Sequence, residues 1–212
     1  MTVTDADVQA LVGPQFHALA EMLAAQPASV ADSPSLCDGW AVRHVVAHLT
    51  MAARYDGAAF TAELASFGYD FEALSNAIAL RDGDLGFDRL LADLRSDTMA
   101  TWAAPGGGAT GALTHVVVHG LDVTAALGLP RSADDEATRL VLDRLTLDGD
   151  ETPFGIDLHG WRLTATDLDW HHGVGTSVST TAEDLVLALA GRPRPGVELR
   201  RVPRRPDRRG DR

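Results

Sequence analysis

The sequence contains no lysine and a single cysteine, Cys37, in 212 residues. One thiol excludes an intramolecular disulfide and a cysteine-rich zinc site. Runs of 18 or more apolar residues are absent, so no membrane span is expected. Met1-Thr-Val-Thr-Asp5-Ala-Asp7 has neither the basic nor the apolar stretch of a secretory signal, and a cytoplasmic location is expected. Internal repeats and a Gly-rich phosphate loop are also lacking. Positive charge is scarce outside the C-terminal end. Nine of the eighteen arginines lie between Arg192 and Arg212, leaving residues 1–191 with nine arginines against 27 carboxylates. Such a body repels nucleic acid and acidic membrane surfaces, so neither is expected as a partner. The Arg/Pro-rich tail 196–212 is expected to be disordered, with a phosphate-rich partner as the alternative.

What is present is helical periodicity followed by a change of pattern. Thr4 to Gln26 reads as an amphipathic helix interrupted by Pro14, which predicts a kink or a late start. A second helix is predicted from Trp40 into the mid-60s. Phe71–Leu80 and Gly86–Trp102 follow as two more. After Pro105-Gly-Gly-Gly108, a helix over Leu113–Leu127 is stopped by Gly128 and Pro130. Ser132-Ala-Asp-Asp-Glu136 supplies an N-terminal cap and acidic first turn for a shorter helix through Leu147. Trp161 to Trp170 alternates as a strand, His171-His172-Gly173-Val-Gly175 reads as a turn, and Thr176–Ser179 as a returning strand. Thr181–Ala190 is a last helix. The expectation is an α+β, mainly α chain. A helical bundle over 1–147 precedes a small strand-strand-helix domain over 152–195 and the tail 196–212.

Chemistry is concentrated in histidines. Two pairs stand at i, i+4, His44/His48 and His115/His119, where chance placement of eight histidines gives about 0.3. His115, His119 and Asp122 fall within a sector of about 60° on an otherwise apolar helix. Two buried neutral imidazoles without partners are destabilising by about 1–3 kcal/mol each, and one divalent ion would satisfy both. Asp122 could accept a ring N–H and fix its tautomer, or make an ordinary helix or arginine contact. His48 alone reads as structural, and His44 as facing water.

Leu36-Cys37-Asp-Gly39-Trp40-Ala-Val-Arg43-His-Val-Val-Ala47-His48-Leu49 resembles the opening motif of the mycothiol-dependent maleylpyruvate isomerase family, within the DinB-like metal-binding four-helix bundles. Val117-Val-His119-Gly-Leu-Asp122-Val-Thr-Ala-Ala-Leu127-Gly128 resembles that family's second motif. Trp161–Trp170 with Ala182–Arg192 resembles its C-terminal region. The resemblance implies one divalent metal, usually zinc, with His48 and His119 as ligands and His115 where that family commonly has Glu. A third histidine would leave the ion its full double charge, which lowers the pKa of a bound thiol or water further.

The function implied is activation of a low-molecular-weight thiol, mycothiol by resemblance, for isomerisation of, or conjugation to, a small electrophile. A metal-dependent hydrolase or transferase using water or another thiol is the rival enzyme, and a metal-stabilised binding protein the rival without chemistry. An arginine of the C-terminal region would anchor a substrate carboxylate, Arg192 in preference to Arg162. Tyr55 shares the stripe of His48, as a pocket wall or a core aromatic. Cys37 precedes a helix N-terminus, but the sequence places no base near it, and it reads as inert. His171-His172 reads as an exposed turn rather than a metal pair. Monomer and homodimer are both compatible with these features.

Overall fold

The computed structural model describes residues 4–147 and 149–202, so most of the arginine tail (203–212) lies outside the described residues. The chain divides into two compact units, Met1–Ala137 and Thr138–Arg212. It is α+β and mainly helical, as the helix-then-strand pattern predicts, with a small three-stranded sheet in the second unit.

In the first unit, α1 (Asp5–Ala24) opens on Thr4, whose hydroxyl accepts from the Asp7 N–H while the Asp7 carboxylate accepts from the Thr4 N–H. Pro14 neither delays nor ends this helix. Its ring and Ala10, whose carbonyl loses its helical donor to proline, both lie on the exposed side. The opposite face, with Val12, Phe16, Leu19 and Leu23, is fully buried. Gly13 lets α1 approach α7 (Asp97–Thr101), since a Cβ there would meet Ala100 at 3.0 Å.

The helix predicted from Trp40 into the mid-60s is three helices: α2 (Val42–Leu49), α3 (Met51–Arg54) and α4 (Gly57–Ser66). Polar side chains stabilise the breaks. The Thr50 hydroxyl donates to the Val46 carbonyl at 2.7 Å, and the Arg54 guanidinium donates to the Ala47 and Thr50 carbonyls at 2.6 and 3.2 Å. Tyr55 is extended, and the Asp56 carboxylate caps α4 by accepting from the Ala59 N–H. Likewise the stretch Gly86–Trp102 is α6 (Phe87–Leu94) and α7, separated because the Ser96 hydroxyl caps the second. Between these groups runs α5 (Phe71–Asp82).

The histidine helix, α8 (Gly108–Thr124), starts five residues earlier than the sequence predicts, because the glycine segment begins it instead of resetting the chain. It ends before Gly128, whose φ of +66° suits glycine, with the Leu129 N–H donating back to the Thr124 carbonyl. α1 packs on α6 and α8, and α2 packs on α5, α6 and α8. In α9 (Asp135–Leu145) the cap is Asp134, within the Ser132–Glu136 segment: its carboxylate accepts from the Ala137 N–H at 2.8 Å.

In the second unit β1 (Trp161–Ala165) is shorter than the alternating run. Beyond Ala165, side chains turn to other tasks: Asp167 accepts from the Ala182 N–H and the Trp170 indole donates to Asp143. His171–Gly173, predicted as a turn, is a strand, β2, antiparallel to β1. β3 (Thr176–Thr180) is not a returning partner, since it runs parallel to β1 in the order β2-β1-β3. The unit is therefore strand-strand-strand-helix, closed by α10 (Ala182–Leu189), which Thr181 caps.

Candidate metal centre

His48 is in the last turn of α2, and His115 and His119 are one turn apart on α8. Packing of α2 on α8 brings the three rings into a near-equilateral triangle, with centroids 4.7, 4.8 and 4.9 Å apart and ring planes 75–87° to one another. One ligand nitrogen from each lies within 4.8 Å of the others. His115 Nε2 is 2.9 Å from His48 Nε2. A tetrahedral ion with nitrogen bonds of 2.0–2.1 Å separates its ligand nitrogens by about 3.3 Å, so a small outward turn of these rings accommodates one.

The surroundings orient the rings. His48 Nδ1 is 2.9 Å from the Ser75 hydroxyl of α5, which aims Nε2 at His115. His119 Nδ1 is 2.9 Å from Asp122 Oδ2, the role the sequence offers for that carboxylate. Asp122 is fully buried, and the same oxygen accepts the Cys37 thiol at 3.2 Å. By contrast, His115 Nδ1 is buried and has no hydrogen-bond partner among the described residues. Burial foremost, then the adjoining His48 and His119, holds the His115 pKa well below 6.5. Three converging imidazoles, two of them backed by a hydroxyl or a carboxylate, fit a divalent ion of the zinc class. Two half-buried indoles flank the cluster, Trp40 at 5.2 Å from His48 and Trp102 at 5.3 Å from His115. Trp40 is steadied by Asn76, which accepts its indole N–H at 2.8 Å.

The structure thus brings together His48, His115, His119 and Asp122, and adds two residues. Ser75 escapes the sequence reading because a lone serine in an amphipathic helix has no distinguishing spacing. Cys37 does have a base nearby, since its Sγ is 3.9 Å from His119 Nδ1 as well as beside Asp122. Together these three form a second group of ligand-type atoms. His44 is buried rather than water-facing, because its Nδ1 accepts the Ala41 N–H at the start of α2. Tyr55 packs against the Met51, Leu74 and Ile78 cluster and donates to Asp82. Arg192 belongs to the second unit, where it donates to the Ala190 carbonyl and lies over the Phe154 ring. Arg162 is exposed on β1. His171 is exposed, and His172 stacks on Trp170.

Comparison with known proteins gives the same direction as the motifs. Residues 12–105 match the family model described as mycothiol maleylpyruvate isomerase N-terminal domain. The matched stretch holds Cys37, His48 and Ser75 and ends before α8. A search of curated proteins finds no match. Among solved structures, the mycothiol-dependent maleylpyruvate isomerase is similar at 18% identity and a TM-score of 0.46, covering 97% of this chain and 99% of that one. A histidine-to-alanine variant of mycothiol-dependent maleylpyruvate isomerase is similar at 17% identity and a TM-score of 0.45, covering 91% and 93%. Residues 12–105 are thus similar to a domain family named for an enzyme, the mycothiol maleylpyruvate isomerase.

Proposed function

We propose that this chain is a metal-dependent enzyme that activates a low-molecular-weight thiol, mycothiol by its family, for attack on a small electrophile. The observation that carries the reading is the convergence of His48, His115 and His119, with Ser75 and Asp122 behind two of the rings. When bound, a divalent ion such as zinc would supply positive charge that lowers the pKa of a thiol at its open position. The chain's own residues do the rest. Three neutral rings leave that charge uncancelled, where a carboxylate ligand would remove one unit. Asp122 holds the His119 ring through its Nδ1–H, and the Trp40 and Trp102 indoles shield one side each of the cluster from water. Arg192 is proposed to anchor a substrate carboxylate.

In the reaction the thiol loses its proton and a carbon–sulfur bond forms at an activated double bond, whose electron pair moves to the adjoining carbonyl. Rotation about the resulting single bond and expulsion of the thiolate restores the double bond in the other geometry. Protonation at carbon instead gives a conjugate. Incubation of the zinc-loaded protein with mycothiol and a panel of unsaturated acids tests the proposal. The expected result is turnover that needs both thiol and metal, stops with a chelator and returns with zinc. Metal uptake without any thiol dependence would contradict it. Arg192→Ala is expected to raise KM for acidic substrates more than it lowers kcat.

A further inference from the structure

The three rings differ in what stands behind them. Ser75 Oγ is 2.9 Å from His48 Nδ1 and Asp122 Oδ2 is 2.9 Å from His119 Nδ1, whereas buried His115 Nδ1 meets no hydrogen-bonding atom among the described residues. The Asp122 carboxylate can only accept, so His119 carries its proton on Nδ1 and its lone pair on Nε2. The 2.9 Å contact between His48 Nε2 and His115 Nε2 holds one proton, and two arrangements are open. If His48 Nε2 donates, Ser75 donates to His48 Nδ1 and His115 is left with a buried N–H that has no acceptor. If His115 Nε2 donates, His48 Nδ1 donates to Ser75 and His115 is left with a bare ring nitrogen. A buried donor without an acceptor is the rarer defect, so the second arrangement prevails.

We propose that the three imidazoles are unequal ligands: Ser75 and Asp122 preset His48 and His119 with Nε2 lone pairs, and His115 is the weak third. Before it can ligate through Nε2, His115 must move its proton to the unpartnered Nδ1. One N–H bond breaks and another forms on the same ring, with no net proton gained or lost. That arrangement leaves a buried donor without an acceptor, a penalty that the other two rings escape. His115 is accordingly the ligand that a competing donor displaces first, and Ser75 is a positioning residue for His48. The inference rests on the metal reading above.

Nitrogen-edited NMR of the metal-free wild-type protein, with the ring protons assigned, reads the tautomers without any variant. The expected result is Nδ1–H on His48 and His119 and Nε2–H on His115. Zinc competition against a chelating dye then ranks the ligands. His48→Ala and His119→Ala should lose more than about 100-fold in affinity, and His115→Ala only about tenfold at unchanged stoichiometry. Ser75→Ala should weaken zinc about tenfold and mix the His48 tautomers, while Ser75→Thr restores both. An Nδ1–H on His115 in the free protein, or an equal loss in all three alanine variants, would overturn the inference while leaving the metal reading intact. A wild-type protein that takes up no zinc would overturn both.

Discussion

Burial and the two neighbouring imidazoles hold His115 neutral in the folded chain, its pKa well below 6.5. In the unfolded chain the same ring titrates near 6.5. Between the two values the unfolded state binds more protons, so stability rises with pH across that window. The contribution is fully present above about pH 6.5 and is lost as pH falls toward the folded value. Denaturation of the metal-free protein at pH 7.5 and 5.5 checks this. Wild type should be less stable at the lower pH, by at most about 1.4 kcal/mol per unit from one group, and His115→Asn should flatten that dependence. An unchanged slope in the variant would remove His115 as its source. Asp122→Asn is the companion test, expected to weaken zinc about 10–100-fold because His119 loses its carboxylate acceptor. At this scale the stripe of His115, His119 and Asp122 was legible, since an apolar helix makes its polar positions conspicuous. Ser75 and the Cys37 contact were not. Each depends on which two elements meet, and spacing within one element carries no such record.

Periodicity located most helices but not their breaks. The apolar pattern after Trp40 continues past Thr50, while the backbone does not, because the Thr50, Arg54 and Asp56 side chains offer its carbonyls and N–H groups better partners. Arg54 is the centre of this junction. Its nearly buried guanidinium also donates to Asp82 at 2.8 Å and Asp93 at 2.9 Å, tying the end of α2 to α5 and α6. Arg54→Ala removes the guanidinium from which Asp82, Asp93 and the Ala47 and Thr50 carbonyls accept, and should destabilise the protein by about 3–5 kcal/mol in chemical denaturation. Because α2 carries His48 and α5 carries Ser75, zinc affinity should fall in the same variant. A loss of stability under about 1 kcal/mol would show that the junction is held by other contacts. Strand direction was the other illegible feature. Alternation marks a strand without saying which neighbour it joins, so the direct parallel pairing of β1 with β3, with β2 on the other edge of β1, appears only in the fold.

Across the whole molecule, the mainly helical first part and the mixed second part followed from periodicity and composition, and the family match over 12–105 agrees with the opening motif. No helix of the described residues is long and apolar enough to cross a membrane. An ion that binds the folded chain and not the unfolded one stabilises it by mass action, about 2.7 kcal/mol at a free concentration 100 times Kd. Zinc should therefore raise the unfolding midpoint of wild type and leave that of His119→Ala unchanged. The account's central claim, that the three-histidine centre engages a thiol, is tested most directly by absorption spectroscopy of the cobalt-substituted protein. One equivalent of cobalt should bind, and mycothiol should add a sulfur-to-cobalt charge-transfer band in the near ultraviolet that its S-methyl derivative does not. Cobalt uptake that survives His48→Ala, or a spectrum indifferent to mycothiol, would contradict the claim.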